Sequence, residues 1–177
     1  MNLANKLTVL RIFLIPVFMI FLLNEIPYGK SIAAGIFIIA AITDILDGHF
    51  ARKRNEITNL GRFMDPLADK LLVSAALISL VQMGKLSSWI VVIIIGREFT
   101  ISILRAVAAT EGRVIAASWW GKAKTIFQII AIISLLINNF PFSYINFPFD
   151  TIMIWIAVIF TIVSGVDYII INIDILK

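Results

Sequence analysis

Long apolar runs dominate the chain, and polar residues interrupt them at intervals that suit helices long enough to cross a membrane. At the start, Leu3, Leu7, Leu10 and Leu14 recur with the helical period and form one greasy stripe. Asn5, Thr8 and Arg11 form a polar stripe on another face. Residues 2–11 are therefore expected to be an N-terminal interfacial amphipathic helix leading into a first span that continues through Pro16 to Leu23. The polar stripe is either a solvated face among headgroups or a face turned inward to grip a phosphate. No small-residue cleavage site follows the run, so it reads as a retained span and not as a signal peptide. Five more spans are predicted near residues 31–51, 65–83, 88–109, 125–137 and 151–171. Pro66 suits a first helical turn and restricts its predecessor, so Asp65 is expected to be an N-cap or to sit at a kink.

Composition turns this pattern into a class. Of the 177 residues, 60% are hydrophobic and only 15% charged, too apolar for an ordinary soluble domain. The expectation is an all-α polytopic membrane protein of six transmembrane helices, a single domain over 1–177. There are no cysteines, which excludes thiolate metal sites and disulfides, and the single histidine, His49, excludes a His-rich centre. The net charge of +4 is spread as punctuation between apolar runs, so nucleic acid is not an expected partner. With six spans, one side of the membrane receives only Lys30 and Lys85. The other receives Lys6, Arg11, Arg52, Lys53, Arg54, Arg62, Arg113, Lys122, Lys124 and Lys177. By the positive-inside rule that second side, with both termini, is cytoplasmic, and the expected location is the plasma membrane.

Chemistry concentrates between residues 44 and 69. Asp44 and Asp47 are spaced i, i+3, and Asp65 and Asp69 i, i+4, which on helices places each pair on one face with Cβ atoms roughly 5–6 Å apart. Carboxylates crowded in this way repel one another, and bound divalent cations relieve the repulsion. Oxygen-only donors suit Mg²⁺ or Mn²⁺. Two cations about 3.5–4 Å apart can clamp an in-line displacement at phosphorus. Gly48, Ala51 and Gly61 let the backbone approach a bulky ligand, and Arg52 and Arg62 can bind phosphate oxygens.

The arrangement D-x₂-D-G-x₂-A-R-x₈-G-x₃-D-x₃-D, formed by Asp44, Asp47, Gly48, Ala51, Arg52, Gly61, Asp65 and Asp69, resembles at every position the signature of the CDP-alcohol phosphotransferase family. The opening Asn5-Lys6-Leu7-Thr8-Val9-Leu10-Arg11 is similar to that family's N-terminal segment. Gly96-Arg97-Glu98 and Gly121-Lys122-Ala123-Lys124-Thr125 resemble its bacterial branch that forms phosphatidylglycerophosphate. The resemblance implies a six-span homodimer that moves a phosphatidyl group from CDP-diacylglycerol to an alcohol and releases CMP, here with glycerol 3-phosphate as acceptor. It implies that Asp44, Asp47 and Asp65 are metal ligands for two divalent cations, and that Asp69 is both ligand and general base. Gly48, Ala51, Arg52 and Gly61 would hold the CDP moiety, and Asn5, Thr8 and Arg11 would close over it.

A doubly anionic acceptor needs cations besides the metals. Arg105 within span four, Arg113 in the following connection and Lys122 are the candidates, since Arg–phosphate pairs give orientation as well as affinity. Each could equally serve positive-inside topology or touch headgroups, and Lys124 is a weaker candidate. Glu98, Ser102 and Arg105 share a helical face. An ionisable residue within a span costs about 2.5–3.5 kcal/mol, so these should face a cavity or one another. Arg97 with Glu98 reads as an internal pair that fixes packing. Asp167 is expected to pair with a basic residue, His49 to be a polar interface residue, and Trp119 and Trp120 to be interfacial anchors. Within the same chemistry the acceptor could be inositol phosphate, serine or phosphatidylglycerol. A divalent-cation transporter and a pseudoenzyme are the readings from other classes.

Overall fold

A computed structural model describes the backbone of residues 3–54, 59–110, 112–113, 115–116 and 118–175, with side chains at these positions except 3–7, 44–54, 59–63, 65–66 and 175. The described chain is all-helical: α1 (Leu3–Leu23), α2 (Gly29–Arg54), α3 (Asn59–Gln82), α4 (Ser88–Thr110), α5 (Trp119–Leu136) and α6 (Phe149–Ile171). It divides after Lys85 into two compact units of three helices each.

In the first unit α1 packs on both α2 and α3. Phe18 and Leu22, one turn apart on α1, meet a face of α2 formed by Ala33, Ala34, Phe37 and Ala40, with the Phe18 and Phe37 rings 6.0 Å apart. The contributing face of α3 is Ala68, Leu72, Ala75, Ala76 and Leu80. So many alanines let the helix backbones approach closely. The apolar bulk instead points outward. Leu10, Phe13, Val17 and Ile20 form an exposed stripe on α1, and Ile32, Ile39 and Ile42 another on α2. Polar residues show the reverse: Thr8 and Arg11 are each only 3% exposed. Thr8 and Arg11 of the α1 polar stripe therefore face into the unit.

The second unit pairs α5 closely with α6, and α4 also packs on α6. Val91, Ile94, Ile101, Leu104 and Ala108 line the inner face of α4. On α6 the inner face is Ile154, Ala157, Val158, Thr161, Ser164 and Tyr168. At one end Trp119, Trp120, Phe127 and Phe160 cluster edge-to-face and stacked, with Trp120 and Phe160 centroids 5.7 Å apart. Among the described helices α6 alone is long and apolar enough to cross a membrane by itself; 8–23 and 29–43 are shorter apolar segments.

Three boundaries differ from the sequence expectation. The amphipathic N-terminal segment is no separate interfacial helix but the first turns of α1, because nothing between Leu3 and Leu23 stops the helix and even Pro16 lies inside it. Asp65 is not an N-cap, since α3 begins at Asn59 and runs through Asp65 and Pro66. A proline removes one backbone hydrogen bond, which a long, packed helix absorbs. The fifth helix begins at Trp119, ahead of the position expected, because Ser118 caps it by accepting a hydrogen bond from Gly121 N at 3.2 Å.

The turn between α1 and α2 depends on one glycine. A Cβ at Gly29 would lie 2.5 Å from the Phe21 carbonyl oxygen, whereas one at Gly35 meets nothing within 4 Å. Gly29→Ala should therefore destabilise the detergent-solubilised protein by about 1–3 kcal/mol, and Gly35→Ala should leave its denaturation midpoint unchanged or slightly raised. Equal midpoints for the two variants would show that the turn yields to the methyl group freely.

Candidate functional site

The four signature aspartates lie on regular helix, as their spacing requires: Asp44 and Asp47 on α2, Asp65 and Asp69 on α3. Asp47 precedes the end of α2 by about as many residues as Asp65 follows the start of α3, roughly 10 Å along each axis. Both pairs thus sit at matching distances from the connection between the two helices. The side chains of Asp44, Asp47 and Asp65, with those of Asn5, Ala51 and Arg52 and the surroundings of Gly48 and Gly61, lie outside the described residues. His49 falls in the same group. Asp69 is exposed on α3 between the buried Ala68 and Leu72, so its carboxylate is accessible. The donor set is oxygen-only, which fits hard divalent cations. Thr8 and Arg11 contribute a buried hydroxyl and guanidinium to the same unit.

The second unit contains the other ionisable residues. Lys124 is almost fully buried on α5, and its ammonium is bonded to Glu98 Oε1 of α4. Arg97 Nη1 stands 3.6 Å from the same oxygen. The stem of Arg97 crosses α6 at Gly165, where a Cβ would approach its Cγ to 3.2 Å. The expected Arg97–Glu98 pair is therefore the outer part of a three-residue cluster in which Lys124 is the principal partner. Lys124, the weakest of the acceptor candidates, is a structural cation already neutralised.

Arg105 is placed differently. Its Nε donates to Tyr168 Oη at 3.2 Å and its Nη2 donates to the same oxygen. Tyr168 Oη in turn donates to the Ala116 carbonyl at 2.6 Å. Ser102, predicted to share a face with Glu98 and Arg105, spends its hydroxyl on the Glu98 carbonyl at 2.7 Å. Arg113 and Lys122 are exposed, one after α4 and the other in the first turn of α5. Asp167 is half-buried and forms no ion pair with a described residue, so its expected basic partner is not found among them. Tyr168 was not among the candidates. It is 63 positions from Arg105, and no spacing rule joins residues on two different helices.

The family model described as CDP-alcohol phosphatidyltransferase matches residues 1–163, and the chain belongs to that family. Individual relatives agree over nearly their whole length. The chain is 50% identical over 179 residues to CDP-diacylglycerol–glycerol-3-phosphate 3-phosphatidyltransferase of Bacillus subtilis (strain 168), covering 94% of this chain and 93% of that protein. It is 41% identical to the Haemophilus influenzae (strain ATCC 51907 / DSM 11121 / KW20 / Rd) protein of the same name, with 94% and 91% covered. It is 39% identical to a probable phosphatidylglycerophosphate synthase of Mycobacterium tuberculosis (strain ATCC 25618 / H37Rv), with 95% and 80% covered.

Removing one member of the Glu98–Lys124 pair strands a buried charge. Glu98→Ala should lower stability by about 3–5 kcal/mol, and the double variant Glu98→Ala/Lys124→Met should recover much of that loss. Thermal denaturation in detergent measures both. Equal destabilisation by the single and double variants would mean that Lys124 is held by something other than charge.

Proposed function

We propose that this protein transfers the phosphatidyl group of CDP-diacylglycerol to glycerol 3-phosphate, giving phosphatidylglycerophosphate and CMP. The observation that carries this proposal is the 50% identity, end to end, to a relative named for that reaction, in a chain that has all eight signature residues. The family match runs through both structural units, which supports treating residues 1–177 as one functional domain. The exposed apolar stripes on α1, α2 and α4, together with α6, support six helices in contact with membrane lipid, although only α6 meets the length and hydropathy of a span unaided. The distribution of basic residues supports a plasma-membrane protein with both termini and the aspartates on the cytoplasmic side. A homodimer is the assembly the family implies.

The roles follow from residue chemistry. Asp44, Asp47, Asp65 and Asp69 hold two divalent cations, Mg²⁺ or Mn²⁺. When bound, such cations neutralise diphosphate charge and ease loss of the alcohol proton. Asp69 takes that proton as the acceptor oxygen attacks the phosphorus carrying the diacylglycerol. The bond from that phosphorus to the bridging oxygen breaks, and CMP leaves. Arg52, with Gly48, Ala51 and Gly61, holds the CDP moiety, and Asn5, Thr8 and Arg11 close over it. Arg105, Arg113 and Lys122 bind the acceptor phosphate.

CMP release by the purified protein with CDP-diacylglycerol and Mg²⁺ tests the proposal, with glycerol 3-phosphate, inositol phosphate, serine and phosphatidylglycerol supplied singly. EDTA-sensitive release with glycerol 3-phosphate alone is expected. Release with a different acceptor would keep the aspartate chemistry and overturn the acceptor. Asp69→Asn should cut turnover by about 10²–10⁴-fold while CDP-lipid binding persists, and near-normal turnover would remove Asp69 as base. Asp44→Asn should weaken the response to Mg²⁺ as well as turnover.

A further inference from the structure

The basic residues of the second unit differ in what compensates their charge. Lys124 is buried and neutralised by Glu98. Arg97 shares that same carboxylate and is packed against Gly165. Arg105 is exposed, and no described carboxylate neutralises it. Its oriented partner is instead a neutral phenol: Tyr168, 2% exposed, on α6. A phenol accepts from a guanidinium and fixes its direction without cancelling its charge, whereas a carboxylate would do both. The N–H groups of Arg105 not turned toward Tyr168 remain available to an incoming anion.

The hydroxyl has a second attachment. By donating to Ala116 it fastens the connection between α4 and α5. That connection begins beside Arg113 and leads into the first turn of α5, which carries Lys122. A single buried hydroxyl therefore fixes the direction of Arg105 and the course of the segment that carries the other two acceptor candidates. We propose that Tyr168 is a positioning residue for acceptor-phosphate recognition, holding an uncompensated Arg105 and the Arg113–Lys122 segment in register for a phosphorylated alcohol. This rests on the proposed acceptor site.

The test is a double-variant cycle on the full-length protein in detergent, with CDP-diacylglycerol and Mg²⁺, reading the KM for each substrate separately. Tyr168→Phe removes only the hydroxyl. It should raise the KM for glycerol 3-phosphate about tenfold, the size of one lost charge-assisted hydrogen bond. The KM for CDP-diacylglycerol should stay at the wild-type value. Competitive inhibition by inorganic phosphate should weaken in parallel. Arg105→Ala should raise the glycerol 3-phosphate KM further, and the double variant should be no worse than Arg105→Ala, because the hydroxyl acts largely through that side chain. Additive effects in the double variant, or equal changes in both KM values together with a lowered denaturation midpoint, would overturn the positioning role and leave a structural one. If Tyr168→Phe does not fold, Arg105→Lys replaces it. One ammonium cannot repeat the two-nitrogen grip on Tyr168 Oη, so an unchanged acceptor KM in that variant overturns the proposal. If wild-type protein uses another alcohol, the acceptor assignment fails by itself, and the cycle is read on the KM for that alcohol. No CMP release with any acceptor would overturn both.

Discussion

A charge on an apolar helix must be turned away from the apolar surroundings or paired, and this constraint orders both halves of the molecule. Leaving an ionisable side chain in a medium without water costs several kcal/mol. Large aliphatic side chains are accordingly exposed on α1 and α4, where several polar groups are covered or paired. On α1, Leu10 and Phe13 are exposed while Thr8 and Arg11 are almost completely covered. On α4, Val92 and Ile103 are exposed, and Glu98 turns to a lysine on α5.

The manner of compensation decides what each charge can do. Glu98 and Lys124 cancel one another, and their pairing pins α4 to α5. Such a pair contributes little net stability, because the desolvation of both groups offsets their attraction, but it fixes which helix faces meet. Arg105 is held by a neutral hydroxyl and keeps its full charge.

The sequence revealed the features that depend on local periodicity. The six helices and the helical placement of Asp44, Asp47, Asp65 and Asp69 follow from spacing alone, because i, i+3 and i, i+4 relations are properties of one helix. Boundaries were less legible. Pro66 resembles a helix start, yet α3 passes through it, since tertiary packing tolerates a single lost hydrogen bond. The fifth helix starts ahead of its apolar run because Ser118 caps it, accepting a hydrogen bond from Gly121 N. Tyr168 was illegible for a different reason. Its relation to Arg105 and Ala116 is between helices, and a single sequence contains no period that expresses it.

The later sequence motifs also acquire a physical meaning of their own. Gly96-Arg97-Glu98 and the segment from Gly121 to Thr125 suggest a particular branch of the family, yet their described side chains are largely occupied with packing. Arg97 needs the missing side chain at Gly165 to cross α6. Glu98 needs Lys124. Thr125 returns its hydroxyl to the Gly121 carbonyl at 3.1 Å. What these motifs specify is how α4, α5 and α6 assemble. That assembly in turn places Tyr168 opposite Arg105, while Lys122 of the second motif stays exposed.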